Sequence, residues 1–147
     1  MTVNPYAAKQ EILAELRTIP FLEILEGGVP DGEAIPKDAY GKIKPHLVVN
    51  WAGLTDPPKR HNGIVGAKKD SFQQGFSTHA IAGDDDAAQQ VHNQALMKLL
   101  GFEPFGCGEI RPAFFAGVGE ISTLGQPTRF SAVQAFKFLI NDTEPTL

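Results

Sequence analysis

The chain has 147 residues, enough for one domain, and folding at that length buries roughly 70% of the surface an unfolded chain exposes. Apolar residues make up 42% and charged residues 20%, so a core can form without disulfides or a structural metal, and the single cysteine, Cys107, rules out an intramolecular disulfide and zinc-thiolate clusters. A formal charge of −4 argues against a protein whose main task is gripping nucleic-acid phosphates.

Asn4-Pro5 reads as a helix start, with Asn as N-cap and Pro at the first helical position. Ala8, Ile12, Leu13 and Leu16 recur at helical spacing, which predicts a helix from Pro5 to about Thr18, stopped by Pro20. The polar residues mixed into this pattern do not read as a signal peptide, and no apolar run nears the roughly 20 residues of a membrane span. Phe21 to Leu25 is a short apolar stretch broken by Glu23, read as a short strand. Residues 26–44 hold Gly, Pro and charged residues and are expected to form a loop.

His46 to Trp51 is a predicted strand, with Leu47, Val49 and Trp51 on one face and His46, Val48 and Asn50 on the other. Residues 54–69 contain Pro57-Pro58 and Asn62-Gly63 and read as a loop or hairpin tip. Ser71 to Ile81 alternates as a strand. Asp84-Asp85-Asp86 then opens a helix whose apolar stripe is Ala88, Val91, Ala95, Leu96, Leu99 and Leu100, with Gly101 as the C′ residue. Its length is roughly 22 Å at ~1.5 Å per residue.

Glu109 to Ile121 reads as a strand interrupted by Pro112, Gly117 and Gly119, and therefore as an edge or a bulge. Leu124 to Pro127 is a predicted loop. Thr128 to Ile140 alternates over its whole length, with Phe130, Ala132, Gln134, Phe136, Phe138 and Ile140 on one face. Such a strand reaches about 43 Å, far beyond the usual five or six residues. It either continues into a neighbour's sheet or lines an assembly surface, or it bends at a bulge and stays inside the domain. Residues 142–147 form a polar tail expected to fray. The element order predicts a single α+β domain, an antiparallel or mixed sheet with two helices packed on one face.

Chemistry is sparse in this pattern. His46, His61, His79 and His92 show no i, i+4 metal pair, although His46 and His79 could meet across a sheet. The three aspartates lack the alternating pattern of a calcium loop, and helix capping explains them. Cys107 sits between two glycines with no base placed beside it, as a small residue in a tight turn would. The Gly-rich run 101–108 lacks the Lys-Ser/Thr ending of a phosphate loop. No catalytic residue, metal or cofactor is expected. Lys59, Arg60, His61, Lys68 and Lys69 form a basic cluster on one loop, read either as a solvated tip or as an arm for an acidic partner surface.

Three segments in order carry a resemblance: KPHLVVNWAGL after an N-terminal helix, STHAIAGDDDAAQQVHNQALMKLLGF, and RFSAVQAFKFLIN. With them the chain resembles, over residues 5–141, the tail terminator family of long-tailed bacteriophages. The insert at 26–44 departs from the shortest members. The resemblance implies a homo-hexameric ring in the virion's tail or neck, assembled in the host cytoplasm. The ring would cap the tail tube, contact tube and head completion proteins, and let genomic DNA pass without sequence-specific binding. The basic loop, together with Arg129, Gln134 and Lys137 on the last strand, then becomes the candidate contact set. The alternatives are another neck or head-completion connector, and a small cytoplasmic enzyme using His79 or Cys107.

Overall fold

The computed structural model describes residues 5–55, 71–113, 121–124 and 129–141. Asn4, residues 56–70 with the whole basic cluster, Gly117, Gly119, residues 125–128 and the 142–147 tail lie outside the described residues. The fold is α+β, a mixed sheet with two helices packed on one face.

Helix α1 runs Pro5–Leu16 and buries Ala8, Ile12, Leu13 and Leu16, the predicted stripe. It ends two residues before Thr18, where Thr18 N and Oγ1 both turn onto the Glu15 carbonyl, at 3.2 and 2.6 Å. Strand β1 is Glu23–Glu26. Phe21 lies outside it, correcting its place in the expected strand: its φ is +59°, and its ring is 99% exposed.

Strand β1 pairs in parallel with β2 (His46–Thr55). Parallel neighbours need a crossover, and here residues 27–45 supply it as a strap rather than a helix. The strap is more ordered than a plain loop: it holds a 3-10 turn at Gly32–Ala34 and a bridge between Lys37 and Ile43. Within that bridge the Asp38 carboxylate accepts from the backbone N–H of Tyr40 and Lys42, at 2.8 and 2.9 Å.

Strand β2 runs antiparallel to β3 (Ser71–Ala82), with a bulge between Trp51 and Leu54. It is longer than expected, because Leu54 and Thr55 stay in the ladder opposite Gln74 and Gln73. The Gln74 amide stitches the bulge by donating to the carbonyls of Ala52 and Gly75.

Helix α2 (Asp85–Leu99) begins with Asp84 as N-cap, its carboxylate accepting from Ala87 N at 2.7 Å. Capping is therefore what the first aspartate does, and Asp85 and Asp86 sit in the first turn, where the helix dipole favours negative charge. Gly101 ends the helix at φ +81°, a conformation an L side chain resists.

The expected strand from Glu109 to Ile121 is not continuous. Among the described residues of this stretch, only β4 (Arg111–Pro112) and β5 (Ile121–Leu124) are strand, and Leu124, expected in a loop, pairs with Arg129. Ile110 is drawn away from the ladder, its backbone bonding Phe102 O and Gly101 N while its side chain is buried in the core. Pro112 has no N–H to extend β4.

Strand β6 (Arg129–Asn141) pairs with β3 through twelve consecutive positions with no register shift. The strand therefore stays in its own domain without a bulge. Its outer edge is occupied too: β5 covers 129–132, β4 covers 136–137, Ala113 N donates to Ala135 O, and Gly108 N donates to Leu139 O. The sheet order is β1-β2-β3-β6, with β4 and β5 both beyond β6.

Alternation sorts the side chains. Leu47, Val49, Phe76, Ala80, Ala132, Phe136, Phe138 and Ile140 face the helices and form one core with α1 and α2. Odd-numbered β6 residues and, before the bulge, even-numbered β2 residues turn to the back, where part of the strap lies.

Candidate functional site

Two of the three strand residues proposed as contacts are internal. Arg129 is 2% exposed: its Nη1 donates to Pro30 O at 2.8 Å, and its Nη2 pairs with the Asp31 carboxylate at 2.9 Å. It holds the strap against the back of the sheet. Gln134 is buried on the helix side and donates to Ala135 O at 3.0 Å. Neither side chain is free to meet a partner in this fold, which corrects both assignments. Alternation predicts only which face a residue takes, and the back face reads as exposed until the strap is known to cross it. Lys137 is half-buried on that back face, beside an open groove of about 500 Å³ that Asn50, Gln73 and Ser77 also line.

The histidines divide. His46 is fully buried, with Nδ1 2.7 Å from Lys44 O. His79 is opposite Val48, two positions along β2 from His46. The two are diagonal neighbours on one face, and His79 Nε2 lies 3.4 Å from Ser77 Oγ. Burial pushes both imidazoles, and that of His92, below the ordinary histidine range. Among the described residues no three His, Cys, Asp or Glu side chains converge as a metal site would require.

Cys107 bridges to Ile140 at the outer edge of β6, whereas His79 lies opposite Val133. Seven residues of strand separate those positions, roughly 23 Å at ~3.3 Å each. The two residues of the enzyme alternative are thus not brought together. Burial first, and the Glu11 carboxylate second, push the Cys107 thiol from 9.0 up to about 11. At neutral pH that leaves about a hundredfold less thiolate than an unperturbed thiol. Alkylation of the native protein by iodoacetamide at pH 8 is expected to be about a hundredfold slower than in urea. Equal rates would show that the thiol is not suppressed.

The surface carries large apolar side chains that composition did not single out. Tyr40, 90% exposed, stands at the tip of the strap turn braced by Asp38. Met97, 81% exposed, is on the outer side of α2 and lines an open groove with Ile19, Pro20 and Glu15. Phe105 is exposed in the loop after α2, its backbone N–H held by the Glu11 carboxylate at 3.0 Å. Leu139 is exposed on the back of β6. The sequence signal was present in each case as an apolar residue off the periodic stripe, and it marks exposure only once the elements are placed.

Trp51 is held from two sides, by Nε1 donating to Glu26 Oε2 at 2.8 Å and by Lys9 Nζ 5.5 Å from its ring centre. That cluster ties α1, β1 and β2 together.

No family model matches the sequence, and no curated protein matches it. Among the described residues no helix is long and apolar enough to cross a membrane.

Proposed function

We propose that the chain is a structural subunit that assembles with copies of itself into a ring, of the tail-terminator kind, at the head-proximal end of a phage tail. The observation that carries this reading is the placement of exposed apolar side chains on opposite sides of a two-layer domain. Met97 is on the outer surface of the helices, and Leu139 is on the back of the sheet. A subunit in a head-to-tail ring buries two different patches, one against each neighbour, whereas a two-fold dimer buries one patch twice. The closed outer edge of β6 further implies that copies meet through side chains and connecting segments rather than by extending that end of the sheet. An acidic chain around a lumen lets DNA slide rather than stick.

The test is particle mass in solution by light scattering, followed by microscopy of a phage lacking the gene. The expected mass is six times the 15.9 kDa subunit, and the expected phenotype is overlong tails. A strictly monomeric protein at high concentration would sink the ring. Full heads without attached tails would move the chain to the connector alternative.

A further inference from the structure

Two buried polar atoms have no hydrogen-bond partner among the described residues, Arg129 Nε and His46 Nε2. Both side chains point to the back of the sheet, on strands separated only by β3. Their chemistry is complementary. A carbonyl only accepts, so the contact of His46 Nδ1 with Lys44 O places the imidazole proton on Nδ1. Nε2 is then a bare acceptor, whereas Arg129 Nε–H is a donor. Uptake of a second proton by His46 turns both atoms into donors and puts two cations where water is excluded.

We propose that residues 27–45 form a strap latched over the sheet by Arg129, and that protonation of His46 releases it. The latch has few parts. Arg129 reaches the strap at Pro30 O and at Asp31, whose carboxylate is 85% exposed and so weakly held. Ile35 is the strap's only buried apolar residue, with Val29, Pro30, Pro36, Ile43 and Pro45 half-buried. At its two ends the strap also meets β2, through Gly27 N–H to Val49 O and His46 Nδ1 to Lys44 O, while its inner bonds, as in Ala34 to Asp31 and Lys44 to Pro36, run between its own residues and survive lifting.

The charged groups around His46 come from several elements. Glu23 on β1 favours its charged form and Arg129 on β6 opposes it, while burial opposes it most. Asp31 on the strap is engaged with Arg129. From β3 the cross-strand neighbour is Ile81, which carries no charge, and His79 stands at the diagonal position. The sign follows from which state binds the proton. The latched form prefers neutral His46, so the latch is intact at and above neutral pH. It weakens as pH falls below the ordinary histidine value of 6.5 toward the lowered one. Lifting would uncover the backs of β2 and β3 around Val48 and Ile81, a surface available only in acid.

The experiment is hydrogen exchange of the full chain at pH 7.5 and pH 5.0, corrected for intrinsic rates, alongside an NMR titration of the His46 imidazole. Exchange of the Val48, Ile81 and Ser131 region is expected to rise about tenfold in acid, with a midpoint matching the His46 titration. In His46→Gln the rise disappears, in His79→Gln it remains, and Arg129→Met exchanges fast at both pH values. If His46→Gln does not fold, the coincidence of the two wild-type midpoints decides. Unchanged exchange, or a midpoint that does not follow His46, overturns the proposal.

Discussion

Phe136→Ala is expected to destabilise the protein by about 3–5 kcal/mol, the largest effect of any single truncation we foresee. Phe136 is buried at the centre of β6 and stacks on Phe76, with ring centres 5.2 Å apart and planes 19° apart. Phe76 in turn contacts Trp51 at 5.2 Å and meets Phe138 edge-on at 6.1 Å. The ring of Phe136 is therefore one member of an aromatic row crossing β2, β3 and β6 beneath the helices. Removing it leaves a void lined by flat rings that cannot collapse onto each other without breaking the strand register. A small domain has about 5–15 kcal/mol of total stability, so roughly a fifth or more would be lost. Urea denaturation measures this directly, with Met97→Ala, at an exposed site, as a control expected within about 0.5 kcal/mol. A cost below about 1.5 kcal/mol would mean that the row is not a cooperative part of the core.

Arg129→Met should cost about 2–4 kcal/mol, and Asp31→Asn less than about 1 kcal/mol, although both break the same ion pair. The asymmetry follows from burial. Arg129 is 2% exposed and Asp31 85%, so the aspartate keeps its water whichever partner is lost. The arginine also supplies the bond to Pro30 O, which Asp31→Asn keeps and Arg129→Met loses. Its aliphatic stem packs behind the sheet, so methionine retains part of the apolar contact and tests the polar loss. Thermal melts of the two variants at neutral pH make the comparison. Equal losses would mean that the charge pair, and not the guanidinium's burial, carries the effect.

The helices, β3 and β6 were legible because each shows one period over ten or more residues, and β2 because its first six residues alternate before the bulge. Asp84 as a cap, Gly101 as C′ and the sorting of Leu47, Val49 and Trp51 to one face follow from local chemistry, and the structure has all of them. What the sequence hid is what depends on distant partners. Arg129 looks like an exposed cation on an alternating strand, and only a strap 98 residues earlier in the chain explains its burial. Gln134 looked polar and available, but the helices cover its face. Glu109 to Ile121 read as a strand from its apolar content, but Ile110 bonds the loop after α2 instead of a neighbouring strand. The candidate contact set fares accordingly: the burial of Arg129 and Gln134 was not legible, and neither was the exposure of Tyr40 and Phe21.

The position of β6 between β3 and β4/β5 bears on how a nascent chain becomes native. Until residues 129–141 leave the ribosome, the twelve-residue flank of β3 has nothing to zip onto, and the aromatic row lacks Phe136 and Phe138. Sheet completion therefore waits for late-synthesised sequence, and closing those long-separation pairs sets a slow pace. Ribosome-bound fragments ending before residue 129 should need chaperone shielding that longer ones do not.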